Sequence, residues 1–287
     1  MLDHRIDTFL ELCKHMNYRK TAEVLHLTQP AVTQQIQYLE RQYGCRLFSY
    51  ENHKLIKTEA AHVFEKYARA AKLHERALRE KLADHDFNTL RIGATKTIGD
   101  YFLVNHVCKF LSKKENALTL IVDNTEHLLK SLVDNELDFA VIEGFFDKNS
   151  FDSVLLRREP FVGICRKDHA FAGREVTIDE LLQETIIHRE DGSGTRAILD
   201  QELSGYNESL QRFQRHICIS SFKVILDLVK RGFGVSFVYN ILAVSDPELA
   251  QFTLQGESVV REFNVVHLKY ADMREKIRSF FGVDVNI

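Results

Sequence analysis

The sequence predicts an α/β protein in three parts: a small helical head, one long helix, and a larger body of alternating strands and helices. Three observations lead there. Apolar residues of the head recur at three-and-four spacing, the mark of one helix face. A helical pattern free of Pro and Gly runs from Glu59 to about Lys81. Beyond Asp84, apolar runs of strand length alternate with helical ones, which implies parallel, doubly wound sheets. With 287 residues, 45% of them hydrophobic, the chain can bury two or three cores.

Leu2, Ile6, Phe9, Cys13 and Met16 define the first helix, and Lys20 to His26 fits a short second one. Thr28 can cap a third, with Pro30 in its first turn where a missing N–H costs nothing. On that helix Val32, Ile36 and Leu39 share one side, Gln34, Gln37 and Arg41 the other, and Thr33 the flank. Two helices joined by a short turn, the second with an exposed amide-rich face, suit a helix-turn-helix, because Gln pairs bidentately with adenine in the major groove. A solvated helix in a small bundle has the same pattern. Arg46 to Phe48 and Leu55 to Thr58 read as a two-stranded wing with His53 and Lys54 at its tip, placed for phosphate contacts. In the long helix Ala60, Val63, Tyr67, Ala70, His74 and Ala77 form a coiled-coil seam and hence a dimer contact; a helix lying on its own domain is the alternative.

In the body, strands are expected at Leu90 to Ala94, Leu118 to Val122, Phe139 to Glu143, Phe161 to Cys165, Thr185 to His188, His216 to Ile219, Val235 to Tyr239 and Phe263 to Leu268. Helices are expected around Tyr101 to Leu111, His127 to Leu132, Ile178 to Leu182, Thr195 to Leu203 and Lys223 to Val229.

Charge supports the division. Residues 1–84 hold 14 Lys and Arg against 11 Asp and Glu, a balance of +3, and the remainder holds 24 against 30, a balance of −6. A basic head on an acidic body suits a nucleic-acid-binding module joined to something else.

The first sixty residues resemble the winged helix-turn-helix of the LysR-type transcriptional regulators. Phe9, Tyr18, Ala22 and Leu25 carry the resemblance, with the string TQPAVTQQIQYLE from Thr28 to Glu40, then GCRLF from Gly44 to Phe48, and Thr58. In the second half LRIGATKTIGDYFL, ELDFAVIEG, HREDGSGTR and VKRGFGVSFV are similar to the family's effector-binding domain. The chain departs from the usual pattern at Tyr50, where many members have arginine, at Ala61, where glycine is usual, and at Gln34, a commonly basic position. The resemblance implies a winged helix-turn-helix over residues 1–58, a linker helix over 59–87 and a two-lobed, periplasmic-binding-protein-like effector domain over 88–287. Lobe I is expected at 88–160 and 263–287 and lobe II at 161–262, with the effector between them. It also implies double-stranded DNA with an interrupted palindromic operator as partner, self-association to a dimer or tetramer, and RNA polymerase as a further contact.

DNA-binding residues are therefore expected at Thr28, Gln29, Pro30, Thr33, Gln34, Gln37, Arg41, His53 and Lys54. Effector-binding residues are expected at three strand ends, since ligands of open α/β sheets gather there: Thr95, Lys96 and Thr97; Ser193, Gly194 and Thr195; Ser220 and Ser221. Plainer roles exist for each: Thr97 capping the next helix, Gly192-Ser193-Gly194 as a flexible turn, Ser221 as a cap. With helix starts converging and no carboxylate evident, a small anion is the expected effector.

Nothing in the sequence points to catalysis. Nucleophile-elbow, zinc-protease and dinucleotide fingerprints are absent, and the thirteen histidines show no metal-ligand spacing, so neither enzyme activity, cofactor nor metal is expected. A solute-binding protein or α/β enzyme with an incidental helical bundle is the alternative class. A thiol redox sensor using Cys165 and Cys218 is another. No apolar stretch is long enough to span a membrane and no export signal is visible, so a cytoplasmic protein without a membrane partner is expected.

Overall fold

The computed structural model describes residues 3–82, 88–144, 146–244, 246–256 and 259–282. Leu2 and the last residues of the expected linker, 83–87, lie outside the described residues.

Three helices and a hairpin form the head: α1 (Arg5–His15), α2 (Tyr18–Val24), α3 (Gln29–Tyr43), β1 (Phe48–Glu51) and β2 (Lys54–Lys57). Local chemistry sets each boundary. The Asn17 side chain accepts the Lys20 N–H at the start of α2, and Thr28 accepts the Ala31 N–H at the start of α3. Gly44 ends α3 at φ 66°, a conformation that costs glycine little. The Glu40 carboxylate then accepts the Leu47 N–H at 2.8 Å and so aims the wing. Thr58 Oγ1 donates to the Arg46 carbonyl at 2.7 Å and accepts the Ala61 N–H at 3.2 Å, tying the wing to the next helix. Phe9, Val32, Ile36, Leu39, Leu47 and Ala61 fill the core between these elements. Ala61 is fully buried there, so the small side chain at this position is a packing requirement.

Helix α4 (Glu59–Leu82) touches both the head and the body. Its seam is only partly free. Ala70 is buried by the chain itself, Tyr67 stacks on Tyr270 with ring centroids 4.4 Å apart, and His74 Nε2 accepts the Asp272 N–H at 3.3 Å. Of these three only Ala70 is withdrawn from a partner, and the expectation is corrected there; Tyr67 and His74 touch the Tyr270–Asp272 turn of the body but stay exposed. Val63 and Leu78 remain half-exposed.

In the body, β3 (Asn88–Ala94), β4 (Asn116–Val122) and β5 (Phe139–Glu143) are parallel and carry α5 (Val104–Leu111) and α6 (Thr125–Val133). A second parallel set is β8 (Thr185–His188), β9 (Arg215–Cys218) and β10 (Val235–Tyr239), with α7 (Ile178–Leu182), α8 (Gly194–Gly205), α9 (Phe222–Lys230) and α10 (Asn240–Ala243). Two long strands join them: β6 (Phe151–Arg166) and β12 (Val259–Leu268), antiparallel to each other and to their neighbours. Strand order is β4-β3-β5-β12-β6-β10-β8-β9, with β11 (Leu249–Leu254) beside β6 and β7 (Glu175–Val176) beside β11. The register of β12 shifts between Phe263 and Asn264, and β6 passes from β12 to β10 at Phe161. α11 (Arg274–Phe281) packs on α5.

The sheet is thus mixed rather than wholly parallel. The first ten residues of β6 escaped the sequence reading because Arg157, Arg158, Glu159 and Pro160 interrupt their apolar pattern. β7, β11, α10 and α11 were also missed. β7 and α10 are too short to show a period, and α11 has only two apolar turns.

Candidate functional site

Two surfaces stand out. On α3, Gln29, Pro30, Gln34, Gln37 and Arg41 are exposed along one stripe while Val32, Ile36 and Leu39 are buried behind it. Thr28 and Thr33 border the stripe, but their hydroxyls are engaged with the backbone. Thr28 caps the helix, and Thr33 Oγ1 donates to the Gln29 carbonyl at 3.0 Å. At the wing tip Asn52 and His53 both take positive φ, 47° and 61°, a tight turn matched to strand twist. It leaves His53 and Lys54 exposed. Arg46, absent from the sequence expectation, shares a concavity with Gln37 and Arg41 and adds a second guanidinium to the face. Its position just past a recognition helix was the available signal.

The second surface is the cleft between the two strand sets. A cavity of about 80 Å³ is lined by Thr95, Lys96, Asp123, Asn124, Thr125, Glu143, Arg189, Glu190, Ser193, Gly194 and Thr195. It shares Thr125, Glu143, Ser193 and Gly194 with an open cavity of about 740 Å³ whose wall includes Arg158, Arg196 and Arg261. Five of the eight expected effector residues therefore converge. The other three do not. Ser220 and Ser221 stay exposed at the rim, where the Ser220 carbonyl faces Lys96 Nζ at 3.5 Å. Thr97 lies inside a helical turn, caps nothing and is buried away from both cavities. Helical structure begins at Lys96, with only Thr95 between it and β3, so Thr97 lies within it and cannot serve as its cap.

Glu143 overturns the expectation of a cleft without carboxylates. It closes β5, is almost fully buried and accepts a hydrogen bond from Thr95 Oγ1. Burial pushes its carboxyl up to about 7, against the pull of Thr95 and Arg189. Asp123 and Glu190 stand on the same wall. The rule that found Thr95, that ligands gather at strand ends, applies equally to Glu143 and to Asn124–Thr125.

The cleft is wired to the head. α6 begins at Thr125 on the cleft wall and is pressed onto β3 at Gly93, where any Cβ would lie 2.7 Å from Leu128. At its far end the Val133 carbonyl accepts from Arg69 at 2.5 Å, Arg69 pairs with Glu65 at 2.7 Å, and Glu65 with Lys57 of the wing at 2.7 Å. Arg76 adds the Asn135 carbonyl and the buried Asp138 carboxylate.

Other chemistry finds little footing. Among the described residues no group of three or more His, Cys, Asp or Glu is placed to hold a metal ion, and no helix is long and apolar enough to cross a membrane. Cys165 is buried, which pushes its thiol up to about 11. Cys218 lies three strands away, roughly 14 Å by strand spacing, beyond disulfide reach.

Comparison with known proteins accords with both surfaces. Residues 4–62 match the model of the bacterial regulatory helix-turn-helix proteins of the lysR family, and residues 83–283 match the LysR substrate binding domain. The RuBisCO operon transcriptional regulator of Allochromatium vinosum is 30% identical over 240 residues, covering 82% of this chain and 78% of its own. The HTH-type transcriptional regulator CysL of Bacillus subtilis is 27% identical over 279 residues, covering 95% and 88%. Among solved structures, full-length OxyR from Pseudomonas aeruginosa superposes with a TM-score of 0.62 at 19% identity, covering 98% of this chain and 94% of that one. The CcmR regulatory domain of Synechocystis, in complex with 2-PG, gives 0.61 at 22%, covering 69% and 98%. An amide-rich recognition helix, a wing and an effector-binding body over the whole length mean that the chain belongs to the LysR family of transcriptional regulators.

Proposed function

We propose that this regulator reads an interrupted palindrome as a dimer, or as a dimer of dimers, and is controlled by a small effector held at the first turn of α8. Gln34, Gln37 and Arg41 read bases; His53, Lys54 and Arg46 hold phosphates. The free part of the α4 face, with Val63 and Leu78, supplies self-association. Thr95, Ser193, Gly194 and Thr195 contact the effector, and the lobes hinge where β6 and β12 cross, near Phe161 and Phe263. An anionic group of the effector sits at the start of α8, where backbone N–H groups lack intrahelical partners. The chain acts as a cytoplasmic regulator rather than an enzyme, and RNA polymerase is a further contact of the DNA-bound form.

The observation that carries this reading is the continuity from cleft to wing, Thr125 through α6 to Arg69, Glu65 and Lys57. A ligand with different affinities for two arrangements of α6 thereby shifts the head. Operator titrations with and without a bound effector test it. Arg69→Ala should leave operator and effector binding intact while the factor by which effector changes operator affinity falls towards one. An unchanged factor in that variant would remove the route through α6.

A further inference from the structure

The small cavity combines groups that a simple anion does not satisfy. Glu143, almost fully buried, accepts from the Thr95 hydroxyl, and no ion pair holds it among the described residues. Its side chain lies against the start of α8, where a Cβ on Gly194 would stand 3.8 Å from Glu143 Cγ and 3.9 Å from Oε1. Neighbouring cations are turned elsewhere. Arg189 chelates Glu190 at 2.7 and 2.8 Å and lies 4.3 Å over the Phe222 ring, and Lys96 also faces Glu190, at 3.7 Å. Beside Gly194, Ser193, nine-tenths buried, lines both cavities and its hydroxyl caps nothing. The first turn of the twelve-residue α8 adds free N–H donors there. A carboxyl and a set of free donors thus stand side by side at the start of α8.

We propose that the cleft of this chain selects an α-amino or α-hydroxy acid, whose carboxylate meets Ser193 and the first turn of α8 and whose ammonium or hydroxyl donates to Glu143. This rests on reading the cleft as the effector site. Charge does not oppose it: with Glu143 protonated below about 7, Asp123 and Glu190 face Lys96 and Arg189, a balanced set that offers a sulfate-like dianion no surplus cation. Size agrees. The cavity of about 80 Å³ has room for roughly three water volumes, enough for the two polar groups and the carbon between them. The remainder of a larger ligand extends past Glu143 and Ser193 into the 740 Å³ cavity.

Calorimetry and thermal shift on the full chain test this with matched pairs: glycolate against acetate, L-lactate and L-alanine against propionate, with L-serine and sulfate added. At least one amino or hydroxy acid should bind about tenfold more tightly than its simple counterpart, the worth of one charge-assisted hydrogen bond. Glu143→Gln should erase most of that preference for amino acids while leaving propionate affinity unchanged or improved. Glu143→Asp, which keeps the carboxyl but withdraws it by one methylene, should lower the preference in part and serves where Glu143→Gln fails to fold. Acetate, propionate or sulfate binding as well as the donor-bearing acids overturns the proposal and leaves the cleft reading intact. So does a preference that survives in Glu143→Gln. Stabilisation that persists in Thr195→Val and Ser193→Ala, or no stabilisation by any member of the panel, overturns the cleft reading as well.

Discussion

Head and cleft both use helix starts, yet one is written along a single helix and the other is assembled from four distant segments. On α3 the reading face and the packing face alternate within fifteen residues, so the helical period alone separates Gln34 and Gln37 from Ile36 and Leu39. In the cleft Thr95, Thr125, Glu143 and Ser193 stand side by side although nearly a hundred residues separate the first from the last. The difference teaches that a surface stripe is a local property of sequence, whereas the charge of a cavity is a property of what the fold brings next to it.

Substitutions can break or sharpen that contrast. Phe9 is fully buried and its ring meets those of Phe48 and Phe64 at 5.7 and 4.8 Å, so Phe9→Ala should cost the head about 3–5 kcal/mol. Operator binding should fail while effector binding by the body persists; joint loss of both in chemical denaturation would show that head and body do not stand apart.

Glu143→Gln sharpens the other side. With its carboxyl raised from 4.5 to about 7, the folded chain holds a proton that the unfolded chain has released. Stability is therefore complete below the unfolded value and falls as pH rises to about 7, by up to ~3 kcal/mol. The variant should flatten this stretch of the stability curve. An identical slope in wild type and variant would mean that Glu143 stays ionised through the range.

Gln34→Ala and Gln37→Ala should each reduce operator preference by roughly 1–3 kcal/mol while non-specific binding changes little. If both keep the specificity ratio, another face of the head reads DNA. The smallest effect belongs to the wing. Lys54→Ala should weaken binding to all DNA alike and lower the salt slope by about one. A sequence-dependent loss instead would move Lys54 into the groove.

Much of this molecule was legible in advance for physical reasons that can be named. Thr28, Pro30 and Gly44 bound α3 through a cap, a fixed φ and a left-handed end, all of which act within a few residues. Three body strands, Phe139–Glu143, Thr185–His188 and Val235–Tyr239, were placed to the residue because both faces are largely buried and apolar. Strand β6 was half hidden, since Arg157 and Arg158 carry charge at exposed positions and Glu159 is a charged residue that the fold buries. The seam of α4 looked uniform, but Ala70 is buried by the chain itself while Tyr67 and His74, in contact with Tyr270 and Asp272, stay exposed.

From the sequence came the family, the amphipathic third helix, the wing and two of the strand ends that line the cleft, because caps, periods and strand-terminal loops are set by near neighbours along the chain. Only the tertiary structure decided which of those ends carry charge into the cavity. Glu143 looked like the last residue of an apolar strand. Its burial against Thr95 and the start of α8, two segments 48 and 51 residues away, is what sets an acid, bonded to the Thr95 hydroxyl, on the wall of the cavity.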